Sequence, residues 1–137
     1  MPFRRIPAAT ATRQRTPDWG DVYWFDFGYP VSAQRSFAGV HPAIVISDAQ
    51  LVLAGTVLVI PMSGMENQRP GYLFHIPVTQ QECPFLDKDS IAKADQVYCV
   101  LSGDLVDQYY LGTVPTLVMR RIYDRMVVAL GFRRFRS

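Results

Sequence analysis

The sequence has few of the residues on which metal sites and disulfide scaffolds depend. Its 137 residues include two cysteines and two histidines, and the spacings of Cys83, Cys99, His41 and His75 match no zinc site. Two cysteines do not make the disulfide framework of a small secreted protein, so we interpret both as partly buried free thiols. A single Cys83–Cys99 disulfide remains the alternative. We therefore expect neither a bound metal nor another cofactor.

Several sequence motifs and long apolar segments are also missing. There is no glycine-rich phosphate loop, no G-x-S-x-G turn and no carboxylate cluster with metal-site spacing. No apolar run approaches the ~20 residues of a membrane helix, and the N-terminus lacks the apolar centre of a signal peptide. These absences argue against a classical nucleotide-binding enzyme. They predict a cytoplasmic protein without membrane association.

Charge is sparse and nearly balanced. Charged residues make up 19% of the chain, hydrophobic residues 49%, and the formal net charge is +2, as in an ordinary soluble domain. So small a net charge does not identify a polyanionic partner, and the position of the charges matters more. Residues 1–17 predict a flexible basic arm and 133–137 a basic tail, flanking one domain at 18–132. Each end is either a solvated tail or a phosphate-attracting segment.

Short segments rich in β-branched and aromatic residues alternate with polar turns, which predicts a mainly β domain. The predicted strands are 22–27, 43–46, 56–62, 72–78, one or two within 90–101, and a short one at 109–114. One helix is predicted after Pro115, with Gly131 as its stop. Its apolar stripe comprises Leu117, Ile122, Met126 and Leu130. Together these elements predict a small barrel or curled sheet with a C-terminal helix packed on it (α+β).

Two candidate sites for proton transfer stand out. His41 precedes a proline, which favours extended backbone, and an imidazole pKa near ~6.5 suits acid–base chemistry. If the backbone is extended at Lys93–Asp95, both side chains point to the same face, roughly 6–7 Å apart along the strand. The carboxylate is then a candidate base, and the ammonium beside it a candidate phosphate-binding group. The alternatives are that His41 is a loop histidine without a function and that Lys93 and Asp95 form a solvated ion pair.

Other polar residues extend this inventory. Ser63 ends the third strand at the start of a polar loop, where its hydroxyl either donates to a phosphate or bonds its own backbone. The loop arginines Arg35 and Arg69 are suited to bidentate phosphate binding. Several tyrosines, Tyr98 among them, offer faces for base stacking or for ordinary packing. The set fits phosphate-ester chemistry without a metal.

Five segments, taken in order, resemble the MazF/PemK (Kid-like) toxin family of type II toxin–antitoxin systems. They are GDVYWFDF at 20–27, VHPAIVIS at 40–47, TVLVIPMS at 56–63, LDKDSIAKADQVYCV at 86–100 and LGTVPTLVMRRIYDRMVVALGF at 111–132. The resemblance implies an SH3-like barrel with a C-terminal helix, usually a homodimer. It also implies metal-independent cleavage of single-stranded RNA and a cognate antitoxin that blocks the RNA groove.

The resemblance assigns roles residue by residue. Ser63 falls on the family's catalytic Ser/Thr, and Asp95 on the general base of the Kid-like branch. Lys93 stands where that branch has a catalytic arginine, and Gln96 completes the family's D-Q pair. With His41, these give the expected catalytic residues His41, Ser63, Lys93 and Asp95. The expected RNA-binding residues are Gln34, Arg35, Arg69, Gln96 and Tyr98.

Two positions depart from the family pattern. His41 replaces the arginine of the R-P pair, and Tyr98 replaces the arginine of D-Q-x-R. Because arginine is not freely replaced at a bidentate phosphate contact, either Arg35 and a cationic His41 substitute for it, or the enzyme is weak or inactive. Two alternatives therefore stay open. One is a non-catalytic toxin of CcdB type that inhibits DNA gyrase by protein contact, and the other is a degenerate member that binds RNA or antitoxin without cutting.

Overall fold

The fold is a curled antiparallel sheet followed by a helix. The computed structural model of the protein describes residues 15–28 and 39–135. Its strands are β1 (Asp21–Asp26), β2 (Val40–Val45), β3 (Thr56–Gly64), β4 (His75–Val78), β5 (Ser90–Lys93), β6 (Tyr98–Leu101) and β7 (Tyr110–Thr113). The helix α1 spans Thr116–Ala129. Short 3-10 turns lie at Ala49–Ala54, Met65–Asn67, Ser102–Asp104, Asp107–Tyr109 and Phe132–Phe135.

The long strand β3 organises the sheet. All strand pairs are antiparallel, in the order β4-β5-β3-β2-β1-β7, with β6 also paired to β3. The first half of β3 pairs with β6, from Thr56 to Val59, and its last three residues pair with β5. With its pairing to β2, one strand therefore belongs to three ladders, and the sheet curls along it. The predicted fold class, mainly β with a C-terminal helix, is confirmed.

Side-chain alternation gives the sheet two apolar faces. One face packs against α1, and the other forms a second cluster closed by Leu105. The helix-covered face includes Val22, Ile44, Ile60, Met62, Ile76 and Ala92. The second cluster contains Tyr23, Phe25, Ala43, Val45, Val57 and Val59. Both faces of the central strands are thus buried, in agreement with the continuous apolar run at 43–46.

The predicted apolar stripe of the helix is wrong at two of its four positions. Leu117 is 76% exposed and Leu130 is 61% exposed. At about 100° per residue, Leu117 lies some 140° around the helix from Ile122, and Leu130 follows the last helical residue. The buried face instead comprises Val118, Met119, Ile122 and Met126.

This face predicts which apolar side chain of the helix supports the fold. Ile122 is fully buried against the sheet, so Ile122→Ala should lower the free energy of unfolding by about 2–5 kcal/mol. Leu53→Ala is the matched control: this side chain is 91% exposed, and its loss should cost less than about 0.5 kcal/mol. Urea unfolding followed by circular dichroism measures both. Equal losses would contradict the packing.

The two cysteines are free thiols in different environments. Cys83 is fully buried, whereas Cys99 is exposed on β6. Burial, with a smaller contribution from the charge of the neighbouring Glu82, raises the pKa of the Cys83 thiol to about 11. Native iodoacetamide treatment at pH 8 should therefore alkylate Cys99 alone, with Cys83 reacting only after denaturation. Peptide mass spectrometry reads out both sites, and comparable native labelling of Cys83 would contradict its burial.

Two glycines close the loop between β1 and β2. Gly28 and Gly39 have φ values of 80° and 89°, in the left-handed region that favours glycine. The Gly39 N–H donates to the Gly28 carbonyl at 2.9 Å, which joins the two ends of the loop. Gln34 and Arg35, two of the predicted RNA-binding residues, lie outside the described residues.

Arg15 contacts the domain at its β1–β7 edge. Its guanidinium lies 3.7 Å from the ring centroid of Tyr110 and 3.5 Å from the buried carboxylate of Asp21. Its backbone N–H donates to Asp107 at 2.8 Å. Most of the predicted arm at 1–17 precedes Arg15 and lies outside the described residues, as do residues 136–137. The predicted domain boundaries therefore stay predictions.

Candidate active site

Three strands bring polar side chains to one face of the sheet. In the β4–β5 ladder His75 lies directly opposite Lys93, and in the β3–β5 ladder Ser63 lies opposite Ile91. Directly paired residues share a face, and so do residues two apart on one strand. Ser63, Lys93 and His75 therefore project from the same face, opposite to the one that packs against α1.

Asp95 lies in a turn after β5 and not in the strand. β5 ends at Lys93, and the Gln96 N–H donates to the Lys93 carbonyl at 3.1 Å across the turn. The expected extended geometry of Lys93–Asp95 is therefore wrong, because the chain turns immediately after Lys93. The two charges remain neighbours: partial burial lowers the pKa of Lys93, and the charge of Asp95 opposes this shift.

The carboxylate of Asp95 is held by a phenol. The Tyr72 hydroxyl donates a hydrogen bond to Oδ2 of Asp95. The residue itself is exposed, so solvent and ligands reach it. A carboxylate fixed at one oxygen and open to solvent is suited to accept a proton from a bound hydroxyl.

His75 is held between a backbone donor and an aromatic ring. The Arg69 N–H donates to Nδ1 of His75 at 3.2 Å, and the Tyr72 ring meets the imidazole edge-on with centroids 4.7 Å apart. Burial lowers the pKa of His75; Lys93 and Arg69 act in the same direction, and Asp95 opposes them. The imidazole is therefore predominantly neutral at pH 7.

Arg69 contributes positive charge at the edge of the same cluster. Its guanidinium carbon lies 5.0 Å from the ring centroid of Tyr72, within cation–π range. Its charge adds to the burial that lowers the pKa of Lys93. The predicted loop arginine thus belongs to the group formed by Tyr72, His75, Lys93 and Asp95.

Two of these residues, His75 and Tyr72, belong to no sequence motif. The HIPV segment of β4 alternates, with Ile76 and Val78 buried, so the pattern does indicate that His75 faces away from the helix-covered core. Its position opposite Lys93 depends on the β4–β5 register, which a local pattern does not specify. Tyr72 resembled any other tyrosine that packs or stacks.

Ser63 lies within β3, so its expected position at the start of a loop is wrong. β3 continues to Gly64 because β5 pairs with its last residues. Ser63 is 6% exposed, and within the described part of the chain its Oγ has no hydrogen-bond partner. The same holds for the buried Oε1 of Gln96. Because buried polar atoms are nearly always paired, each is a candidate contact for a ligand.

His41 and Tyr98 lie farther along the sheet. His41 pairs with Phe25 at the start of β2 and is half-buried. The β2–β3 ladder ends at the pair Ala43 and Pro61. His41 and Ser63 lie just beyond this pair, each two residues away from it along its strand, so their side chains are on the same face of the sheet. The Tyr98 ring packs edge-on against Phe27, with centroids 5.1 Å apart.

A cleft of about 450 Å³ opens beside the cluster, between β4 and α1. Tyr72 and His75 line one side, and Arg121, Asp124 and Arg125 of α1 line the other. The Arg121 guanidinium is 2.9 Å from the Glu82 carboxylate, which partly offsets its charge. The cleft is large enough for part of a nucleotide, and Asp124 and Glu82 offset the charges of Arg121 and Arg125.

Within residues 15–28 and 39–135, no helix is long and apolar enough to cross a membrane. Within the same ranges, no three His, Cys, Asp or Glu side chains gather as a metal site.

Comparisons with known proteins agree with the geometry. A family model described as PemK-like, MazF-like toxin of type II toxin-antitoxin system matches residues 18–130. MazF from Deinococcus radiodurans has a TM-score of 0.67 at 20% identity, over 85% of this chain and 98% of that one. An endoribonuclease in complex with its cognate antitoxin, from a Mycobacterial species, has a TM-score of 0.64 at 22% identity, over 84% and 95%. The search of curated proteins finds no match. At these identities the solved structures show a common fold.

Proposed function

Since the chain belongs to the PemK-like, MazF-like toxins of type II toxin–antitoxin systems, we propose that it is an endoribonuclease cutting single-stranded RNA without a metal ion. Solved structures that share its fold include proteins named as endoribonucleases. The site chemistry supports the same reaction.

One observation carries the proposal: a carboxylate and a cation lie side by side on an open surface, with further donors around them. Asp95 and Lys93 interact electrostatically, and Ser63 presents, on the same face as Lys93, a buried hydroxyl with no hydrogen-bond partner among the described residues. Cleavage at the 2′-hydroxyl needs a proton acceptor near that hydroxyl and positive groups near the phosphate. A toxin that acts by protein contact alone would need neither.

The reaction is a transfer within the RNA chain. Asp95 accepts the proton of a 2′-hydroxyl as its oxygen bonds to the adjacent phosphorus, and the bond from phosphorus to the 5′ oxygen breaks. Lys93 and Ser63 stabilise the charge on the phosphorane oxygens. A protonated His41 supplies the proton that the leaving 5′ oxygen takes up. The products are a 2′,3′-cyclic phosphate and a 5′-hydroxyl.

The remaining polar residues hold the RNA on either side of the cut. Arg69 binds a phosphate, and Gln96 contacts the RNA through its buried carbonyl. Tyr98 adds an aromatic face at the edge of the site, and Gln34 and Arg35 act from the β1–β2 loop. Stacking and backbone charge are the usual means of binding single-stranded RNA.

The partners follow from the family and from one surface of this chain. A homodimer and a cognate antitoxin are proposed, as a structurally similar endoribonuclease is in complex with its cognate antitoxin. An apolar groove of about 190 Å³ runs along α1, lined by Trp19, Val97, Tyr123, Leu130 and Phe132 among others. An exposed apolar surface of this kind is typical of protein contacts.

The proposal is tested by incubating purified protein with a long unstructured RNA in EDTA, beside DNA of the same sequence. Discrete RNA fragments with cyclic phosphate ends, and intact DNA, are the expected result, because DNA lacks the attacking 2′-hydroxyl. Intact RNA at high protein concentration would overturn the proposal. RNA that is bound but uncut would identify a binding protein, and cleavage of both polymers would exclude 2′-hydroxyl attack.

A further inference from the structure

His75 has a geometry that fixes which of its two ring nitrogens bears a proton. Nδ1 accepts the Arg69 N–H at 3.2 Å, so in the neutral ring Nδ1 carries no hydrogen. The proton of the neutral imidazole is then on Nε2, at the far side of the ring. The edge-on Tyr72 ring packs against the imidazole and restricts its rotation.

The position of His75 places that donor beside the phosphate-binding cation. His75 lies directly opposite Lys93 in the β4–β5 ladder, and such pairs have Cβ atoms about 4.5–5.5 Å apart. A phosphate that contacts the Lys93 ammonium is therefore within reach of the imidazole.

We propose that His75 is a catalytic residue of the RNA-cleavage site, which donates a hydrogen bond from Nε2 to a non-bridging phosphate oxygen while remaining a neutral imidazole. This inference rests on the proposed function and adds a donor to it. The proton of Nε2 is shared and not transferred, so no acid–base step passes through His75. Negative charge on that oxygen grows in the transition state, and a fixed donor then stabilises it more than the ground state.

The surrounding charges support a neutral ring. Partial burial, Lys93 and Arg69 lower the pKa of His75, with Asp95 opposing, and across the cleft lie Arg121, Asp124 and Arg125 of α1. An imidazolium would also place a hydrogen on Nδ1, facing the Arg69 N–H donor. The neutral form is thus favoured by the hydrogen bond as well as by the charges.

Three substitutions at one position separate donation from proton transfer. Glutamine presents an amide N–H near the position of Nε2, asparagine presents its amide nearer to Nδ1, and alanine presents none. His75→Gln should keep kcat within about fivefold of wild type, whereas His75→Asn and His75→Ala should each lower it about 100-fold. Far-ultraviolet circular dichroism and thermal melting exclude misfolding as the cause.

The outcomes distinguish failure of the proposed function from failure of the inference about His75. If wild-type protein cuts no RNA, the proposed function fails and this inference fails with it. If wild-type protein cuts RNA but His75→Gln is as slow as His75→Ala, a fixed N–H donor is not what His75 contributes, and the inference alone is overturned. Full activity of all three variants would also overturn it, by removing His75 from the reaction.

A spectroscopic test needs no RNA. The chain has two histidines, so 15N-labelled His41→Gln protein gives the signals of His75 alone. At pH 7 we expect a neutral ring protonated at Nε2, with an unprotonated Nδ1. An imidazolium, or a ring protonated at Nδ1, would contradict the proposal.

Discussion

Asp95→Asn should reduce RNA cleavage by about 100- to 10,000-fold, because it removes the proposed proton acceptor while keeping its shape. The asparagine side chain still offers an oxygen to the Tyr72 hydroxyl, so the local hydrogen bond can persist. The loss should therefore fall on kcat while RNA binding is retained. Initial rates on a fluorogenic oligonucleotide, with binding measured separately, resolve the two quantities.

Asp87→Asn is the control for this substitution. Asp87 is also an exposed carboxylate, and it lies in the segment between β4 and β5, so the variant has the same change of net charge. It should cut RNA at the wild-type rate. A folded Asp95→Asn protein that stays within tenfold of wild type would show that another group removes the proton.

The second large effect is expected at Lys93. Lys93→Met should slow cleavage by about 100- to 1,000-fold, because the cation beside Asp95 would no longer offset charge on the phosphorane. Lys93→Arg should stay within about tenfold of wild type, since the guanidinium keeps the charge and reproduces the residue of the Kid-like branch. Single-turnover rates at saturating protein measure the chemical step for both variants.

Lys88 offers a matched control, as it is the only other lysine in the sequence. Its ammonium lies 3.5 Å from the Glu66 carboxylate, and both side chains are largely exposed. Such a surface pair contributes little, so Lys88→Met should leave the rate unchanged. Equal losses in the two methionine variants would indicate a general effect of charge on RNA binding, in place of a specific role for Lys93.

The secondary structure was largely predictable because local composition determines it. The β-branched run that forms β3 and the polar turns around it identify strands without reference to any partner. The buried face of α1 was less predictable. Leu117 and Val118 are both apolar, and only packing on the sheet decides that Val118 is buried while Leu117 is exposed.

The candidate site was likewise predictable only in part from local sequence. The sequence indicates that Lys93 and Asp95 form a pair, yet the extended geometry behind that prediction is wrong, because a turn follows β5. The structure places Ser63 on the same face as Lys93 through the β3–β5 register. His75 reaches the site only through the pairing of β4 with β5, which no spacing in the sequence reveals. Non-local register thus assembles the site.

The central claim is that the 2′-hydroxyl at the cut attacks its own phosphate. The most direct test maps one cleavage site and then replaces the single ribose on its 5′ side by deoxyribose, in an otherwise identical RNA and in EDTA. We expect cleavage at this bond to stop while other sites are still cut. Continued cleavage at the modified position would contradict it, because no attacking hydroxyl remains there.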